Sequence, residues 1–542
     1  MKKIFTLLLL VLFCCQTYAQ QSLITNHSYK VSEPYRVFDA AEKIYFSRGN
    51  EVLALKLDGK EILIQKFDSE KPSFIKEKKY EKYFPKNYSF EQVMEVNGKY
   101  YFFYSSWDGD NDKEQLFATE IDFAAGEFTG SPKLVLQVDG KIAGSAVSSS
   151  WGFSFSVQDK FDLFQSRDKK NVLVQYRRKP EVKGDTRSYD IIGLFTYDGG
   201  LNKISDNEVT MPYTERRMNN LDYQLDNNGN LYLLTKVFHD DSNDDKKKRK
   251  DTEANYHIEL FTIKAGSDKI GISKFENKDK FINKLWLFDT NKDFLVCGGF
   301  YSNGKGDFDD CDGIIAFKIK SDGTVYDNVS HEIPLEVLNQ YETAKTKRKN
   351  EKKERNGDEA QFSDLDLNEL VVNEDGSIVL VGEQYFVITR TSYSPQGGAR
   401  TYSTYHYCDM LVSKINTDGS LGWMKKIPKN QVGSRGQGGM SYKYFNADNN
   451  HYFVYLDNVK NMDLPLDKSP ARHSDGQGGY LTAVKITDSE GVLSKGSILN
   501  SRDVEDFKIY QFSTNRIVKT SENTFLLEVY KKKKEDIMIK VV

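Results

Sequence analysis

The sequence predicts an all-β fold, a single β-propeller of about eight four-stranded blades, on three observations. A hairpin of two apolar runs punctuated by turn residues recurs eight times. Helical crossovers of the kind a parallel sheet needs are almost absent between the runs. The last hairpin also lacks a final strand, whereas an extended segment near the N-terminus has no hairpin of its own. Seven blades is the alternative count, because ring closure permits about four to eight.

The pattern is plainest at Asp226 to Gly266. Asp226-Asn227-Asn228-Gly229-Asn230 is a turn cluster, and Leu231 to Val237 is rich in residues that suit a pleated strand. A polar loop follows, then a second apolar run, Ile258 to Lys264, which ends at Ala265-Gly266. Glycine there supplies the positive φ of a tight turn.

In chain order the paired runs are 41–46 with 51–57, 99–104 with 115–121, and 171–176 with 190–195. The Asp226 hairpin is the fourth. The remaining pairs are 293–297 with 313–319, 375–381 with 410–415, 451–455 with 480–486, and 523–530 with 536–541. Further extended segments flank them, such as Glu61 to Gln65 and Phe90 to Glu95, giving about four antiparallel strands per unit at a spacing of roughly 55 to 85 residues. Residues 22–32 are expected to complete the C-terminal blade and remove the sheet edge left at the ring junction.

Residues 1–19 have the order of a secretory signal peptide: Lys2 and Lys3, the apolar run Ile4 to Phe13, then Thr17-Tyr18-Ala19 before Gln20. The run is shorter than the about 20 apolar residues that span a bilayer, so no transmembrane segment is expected. The chain is therefore expected to be exported, to the periplasm, the cell envelope or the exterior. Cys14 and Cys15 raise lipidation, but Phe13 or Cys14 stands where a very small residue belongs. The propeller then occupies 20–542, with a polar helical insertion at 335–361.

Charged residues are 29% of the chain and cancel to a net −3, which together with basic runs lacking interleaved aromatics argues against a nucleic-acid partner. Cys297, Cys311 and Cys408 are too few and odd in number for a disulfide framework; a Cys297–Cys311 bridge and buried free thiols both remain open.

In a four-stranded meander the first and third turns share one end, and the middle loop shares the other end with the links between blades. The first kind are tight here, as at Asn97-Gly98, Asp322-Gly323, Asp375-Gly376 and Asp418-Gly419. The second kind are long, as at 239–256, 386–407 and 457–479. Loops on a rigid scaffold carry binding, so function is placed on the long-loop face. The candidate residues there are Arg390, Tyr393, Arg400, Tyr402, Tyr405, Tyr407 and Arg472, the aromatic and guanidinium set enriched at interfaces.

No cofactor is expected, and calcium is the one cation the acidic loops suggest. Asp108, Asp110 and Asp112 alternate like the start of a calcium loop, although Lys113 replaces the turn glycine and Thr119 the bidentate glutamate. The clusters at 240–245 and 307–312 lack ligand spacing. There is no HExxH pair, no GxSxG elbow and no glycine-rich phosphate loop before a helix.

The Asp-Gly turn after a Lys-Ile strand end, as in Lys414-Ile415 to Gly419, resembles secreted bacterial β-propeller proteins of unassigned function. That resemblance implies a fold and no catalytic residue. Quinone-dependent alcohol dehydrogenases share an eight-bladed ring but carry a vicinal disulfide, and the only adjacent cysteines here are Cys14 and Cys15 in the leader. The expected function is non-catalytic binding or scaffolding of a protein or glycan partner by a monomer. The alternative is a hydrolase or lyase acting on an extracellular polymer, with carboxylates at the central funnel.

Overall fold

The computed structural model describes residues 21–22, 27–144, 160–180, 186–248, 253–267, 269–275, 279–290, 292, 294–305, 310–393, 399–434, 439–474 and 478–542; residues 1–19, expected to be a leader, lie outside them. They form eight sheets, each built on an antiparallel meander. Blade one is Glu42–Arg48, Glu51–Asp58, Glu61–Asp68 and Ser73–Glu81. Blade two runs from Ser89–Val96 to Glu127–Asp139, blade three from Asp162–Gln165 to Lys203–Thr214, and blade four from Met218–Leu225 to Ile270–Phe275. Blade five spans Phe281–Asp289 to Val325–Glu332, blade six Leu365–Val372 to Leu421–Ile427, and blade seven Lys443–Ala447 to Leu493–Asn500. First strands of blades one, two, three, seven and eight line one axial cavity of about 590 Å3.

Blade eight has only three strands from the C-terminal end: Ile517–Ser521, Thr524–Lys532 and Glu535–Val541. Tyr29–Val31 supplies the fourth, antiparallel, with Tyr29 opposite Val541 and Val31 opposite Ile539. The ends of the described chain are therefore neighbours, and the ring has eight blades, not seven. Gln21–Ser22 adds in parallel to the outer strand of blade seven, a contact the sequence did not suggest.

One unit was out of phase. In blade one, the paired runs 41–46 and 51–57 are strands one and two, whereas in the other blades the paired runs are strands two and three. Both turns of that stretch are tight, so turn length could not set the parity.

The Asp-Gly motif has a uniform physical cause. At 373–377 the Asn373 amide donates to the Ser377 carbonyl and the Gly376 amide to the Asn373 carbonyl, while Asp375 Oδ1 accepts from the Ser377 amide at 2.8 Å. The same turn recurs at 320–324 and 416–420. Gly376 has φ +91°, a region costly to residues with a Cβ, so glycine and aspartate are both dictated by the turn.

The insertion holds two helices. In α1 (Leu335–Leu338), Val337 and Leu338 are buried in the core between blades five and six. The helix α2 (Ala344–Arg355) buries none of its residues, as its all-round polarity predicts, and is capped by Thr343 accepting from the Thr346 amide. Cys297, Cys311 and Cys408 are free thiols, and burial raises the pKa of each, to about 12 for Cys408.

Every seam between neighbouring blades is filled by its own apolar cluster, because alternate residues of a radial sheet face opposite neighbours. The closing seam, between blades eight and one, has the smallest: Tyr35, Val52, Ala54, Phe67, Leu526 and Met538. Polar groups take the remaining space. Glu528, fully buried, accepts from Tyr45 at 2.7 Å and Tyr35 at 2.8 Å and is paired with both Lys43 and Lys56. Asp536 lies 3.6 Å from Lys43 and 3.7 Å from Lys56.

Burial alone would push the Glu528 carboxyl up, but the two lysines and the hydroxyls outweigh it and hold it at about 2. Burial, then the charge of Glu528, pushes Asp536 up to about 6. The two carboxyls therefore tilt stability in opposite directions. A raised Asp536 adds stability as pH falls from about 6 toward its unfolded value of 3.8. A depressed Glu528 loses its contribution as pH falls from its unfolded value of 4.5 toward 2. Denaturant midpoints measured against pH should show a rise and then a fall on acidification; Asp536→Asn should flatten the first limb and Glu528→Gln the second. Glu528→Ala, which strands two buried ammonium groups, should cost about 3–5 kcal/mol in chemical unfolding.

Candidate binding face

The parity of the meander puts the middle loops and the interblade links at one end of the ring, and there the structure departs most from expectation. Residues 386–393 and 399–407 are strand and not loop, with 394–398 outside the described residues. The second and third strands of blade six, Ile378–Tyr393 and Ala399–Ile415, stay paired far beyond the blade, from Tyr385 opposite Tyr407 out to Tyr393 opposite Ala399. The result is a two-stranded arm. Thr389 and Ser403 hydrogen-bond across it at 2.9 Å, and Phe386 stacks on His406 at 4.5 Å.

The base of the arm is braced on one side. Gln431–Gly433 pairs with Tyr405 to Tyr407, and His473–Ser474 pairs in parallel with Gln431–Gly433. A buried polar cluster fixes this corner. Lys429, fully buried, is paired with Glu383 and donates to the Tyr407 carbonyl at 2.9 Å; Ser441 donates to Glu383 at 2.6 Å. Lys426 bridges Asp409 at 3.0 Å and Glu342 at 2.9 Å, tying the helical insertion to the outer strand of blade six.

Strand alternation divides the predicted residues. Arg390 lies opposite Tyr402, on the arm face shared with Phe386, Thr404 and His406. Arg472 joins that side: burial first, then the charges of Arg472 and Arg390, lower the pKa of His406. Tyr405 and Tyr407 belong to the opposite face, and Tyr407 is spent on structure, 8% exposed and 4.8 Å from the Tyr385 ring. Tyr402 is 47% exposed. The side chains of Tyr393 and Arg400 lie outside the described residues. The geometry thus sets Arg390 opposite Tyr402 and puts Arg390 and Arg472 both within electrostatic reach of His406, which with Phe386 was not singled out by composition.

The acidic loops are turns. Asp108 accepts from the Asp110 and Asn111 amides at 3.2 Å and from the Asn111 side chain at 2.8 Å, with Asp112 at positive φ. Asp240 similarly accepts from Ser242 and Asn255. Residues 307–309 lie outside the described residues. No group of three metal-ligating side chains occurs among the described residues.

Inner-strand carboxylates serve as clips between blades. Glu91 accepts from the Lys160 and Phe161 amides at 2.9 and 3.2 Å, Asp222 from the Leu287 amide at 2.7 Å, and Asp366 pairs with Lys284 at 3.1 Å. Along the axial cavity the carboxylate among the described lining residues is Glu95, paired with Lys169 at 2.7 Å.

No protein-family model matches this sequence, and no curated protein does. Among solved structures, the chain is similar to a prolyl endopeptidase at TM-score 0.39 and 11% identity, over 93% of this chain and 55% of that one. It is similar to prolyl oligopeptidase B of Galerina marginata at 0.37 and 9%, over 95% and 55%. The β-propeller domain of the Trilobed protease of Pyrococcus furiosus gives 0.33 and 8%, over 87% and 98%. The chain spans about half the length of the two prolyl peptidases. Similarity at this level carries no residue or activity across.

The division of the arm is testable by stability. Tyr407→Ala removes a buried ring and should cost about 3 kcal/mol, whereas Tyr402→Ala should stay within about 0.5 kcal/mol of the parent. Denaturant unfolding of the two variants checks both.

Proposed function

We propose that this protein is a non-catalytic binding or scaffolding propeller of the bacterial envelope or exterior, recognising a protein or glycan through the long-loop face. The observation that carries the reading is the arm: a braced extension of blade six that presents Arg390 and Tyr402 beside Arg472, on a base held by buried ion pairs. An aromatic ring and two guanidiniums on a rigid support are the anchors from which binding energy is drawn. Inner-strand carboxylates engaged by lysines and backbone amides lend support as well, since a glycosidase-like dyad needs two carboxyls free to face a substrate. The leader-like residues 1–19 support placement outside the cytoplasm.

Photo-cross-linking in intact cells, with the reactive group at position 402, should trap a discrete partner. Arg390→Glu combined with Arg472→Glu should reduce the yield at least tenfold while the melting temperature holds. Equal trapping from a probe on the opposite end of the ring, at Thr417, would reject the long-loop face as the binding surface.

A further inference from the structure

Among the described residues, no strand pairs with one side of the arm. Blade six's first strand ends its pairing with the second at Leu365 opposite Gln384, and the Tyr385 amide then donates to the Asp364 carbonyl at 3.0 Å. Beyond that point, among the described residues, Phe386 to Thr391 are hydrogen-bonded through their backbone only to the other strand of the arm. Because the first strand is the innermost of the blade, this open edge lies on the axial side. In an antiparallel pair, alternate residues turn both N–H and C=O outward, so about three residues here offer ladder groups to a newcomer.

Four other edges of the ring, those of blades one, two, three and seven, are protected. The outer strand of blade one carries Lys76, Glu77, Lys78 and Lys79; that of blade two has Pro132 and Lys133; that of blade three has Asp206, Glu208 and Pro212. Charge and proline are the usual means of keeping edges from pairing. The blade-seven edge is covered by Gln21–Ser22. Phe386-Val387-Ile388-Thr389-Arg390-Thr391 has neither proline nor a charge among its first four residues, and Val387 is 36% exposed. Such an edge is built to be paired.

Its charge indicates the partner. From Gln384 to Cys408 the sequence contains Arg390 and Arg400 and no Asp, Glu or Lys, in a chain of net charge −3. Arg472 lies beside the same face, and α2, at the same end of the ring, holds seven Lys or Arg against two Glu. Edge-to-edge pairing of two arms would bring arginines of like sign together.

We infer that the arm captures an extended acidic segment of another protein, which adds as a further strand along Phe386 to Thr391. Main-chain bonds supply the affinity, and Arg390 with its neighbours selects for carboxylates on alternate positions. This rests on the long-loop face being the binding surface and names the mode and chemistry of its partner.

The test uses the mature chain and a fluorescent octapeptide alternating Glu and Val, with a Lys and Val octapeptide as control, read by anisotropy. The acidic peptide should bind at least tenfold more tightly, and Arg390→Glu should abolish the preference. Val387→Pro and Ile388→Pro are made separately, because one of these residues turns its N–H outward and the other toward its partner strand. The variant that keeps the parent's melting temperature should lose peptide binding at least tenfold. Unchanged binding in that variant, or no preference between peptides, overturns the strand-addition proposal. Cross-linking to position 402 that persists in the same variant would leave the binding face intact while removing this mode. An arm-dependent dimer by light scattering would replace the acidic partner with a second copy.

Discussion

A ring made from one chain has to close, and closure is the constraint on which the rest of this molecule depends. Seven seams form between blades adjacent in sequence. The eighth joins residues nearly the whole chain apart, as the Tyr35–Glu528 hydrogen bond does across 493 positions. The loop-closure entropy of such a contact grows only logarithmically with length, so the seam is affordable, but it has the fewest apolar residues to meet that cost. The network around Glu528 occupies the difference. Buried ion pairs are poor sources of net stability, since desolvation offsets most of their attraction. Their value here lies in geometry: only one register of blade eight against blade one lets a single carboxylate meet two lysines and two tyrosines.

Closure also explains the position of the arm. Once the ring is fixed, the parity of a meander decides which end each insertion reaches. The turns at 320–324, 373–377 and 416–420 are locked by aspartate and glycine at one end. The helical insertion, the arm and residues 458–474 all emerge at the other and are joined there: the Tyr341 amide donates to the Leu466 carbonyl, and Gln431–Gly433 pairs with Tyr405 to Tyr407 of the arm on one side and with His473–Ser474 on the other. These insertions form one braced patch and not three separate loops.

Much of this was legible in the sequence because it is local. The Asp-Gly turns, the strand runs and the polarity of α2 are written in neighbouring residues, and the unfilled last blade followed from counting. The arm carries a signal too: Thr389, Arg390 and Thr391 lead into the turn-favouring residue types Pro395-Gln396-Gly397-Gly398, and Arg400 to Tyr407 follows as a second run rich in Thr and Tyr. A blade strand normally ends with its neighbours, so the sequence reads as a loop there, and the structure shows these two strands continuing without the inner one. Glu528 with Lys43 and Lys56, or Lys429 with Glu383, had no such signal. Each is an ordinary charged residue in an apolar run, and its partner is fixed by packing between or within blades.

The same distinction bears on how the axial cavity is understood. Propeller channels invite a search for catalytic carboxylates, and this one has acidic inner strands. Yet Glu91, Asp222 and Asp366 each reach sideways to the next blade, where an amide or ammonium holds them. Asp222 shows the cost: burial pushes its carboxyl up to about 7 despite two backbone donors. Such a group is costly to bury and would be replaceable by an apolar side chain if filling space were its only task. Its bond to the Leu287 amide joins the first strands of blades four and five, which do not pair as a ladder. The acidic inner ring is accordingly part of the frame that holds the blades in register.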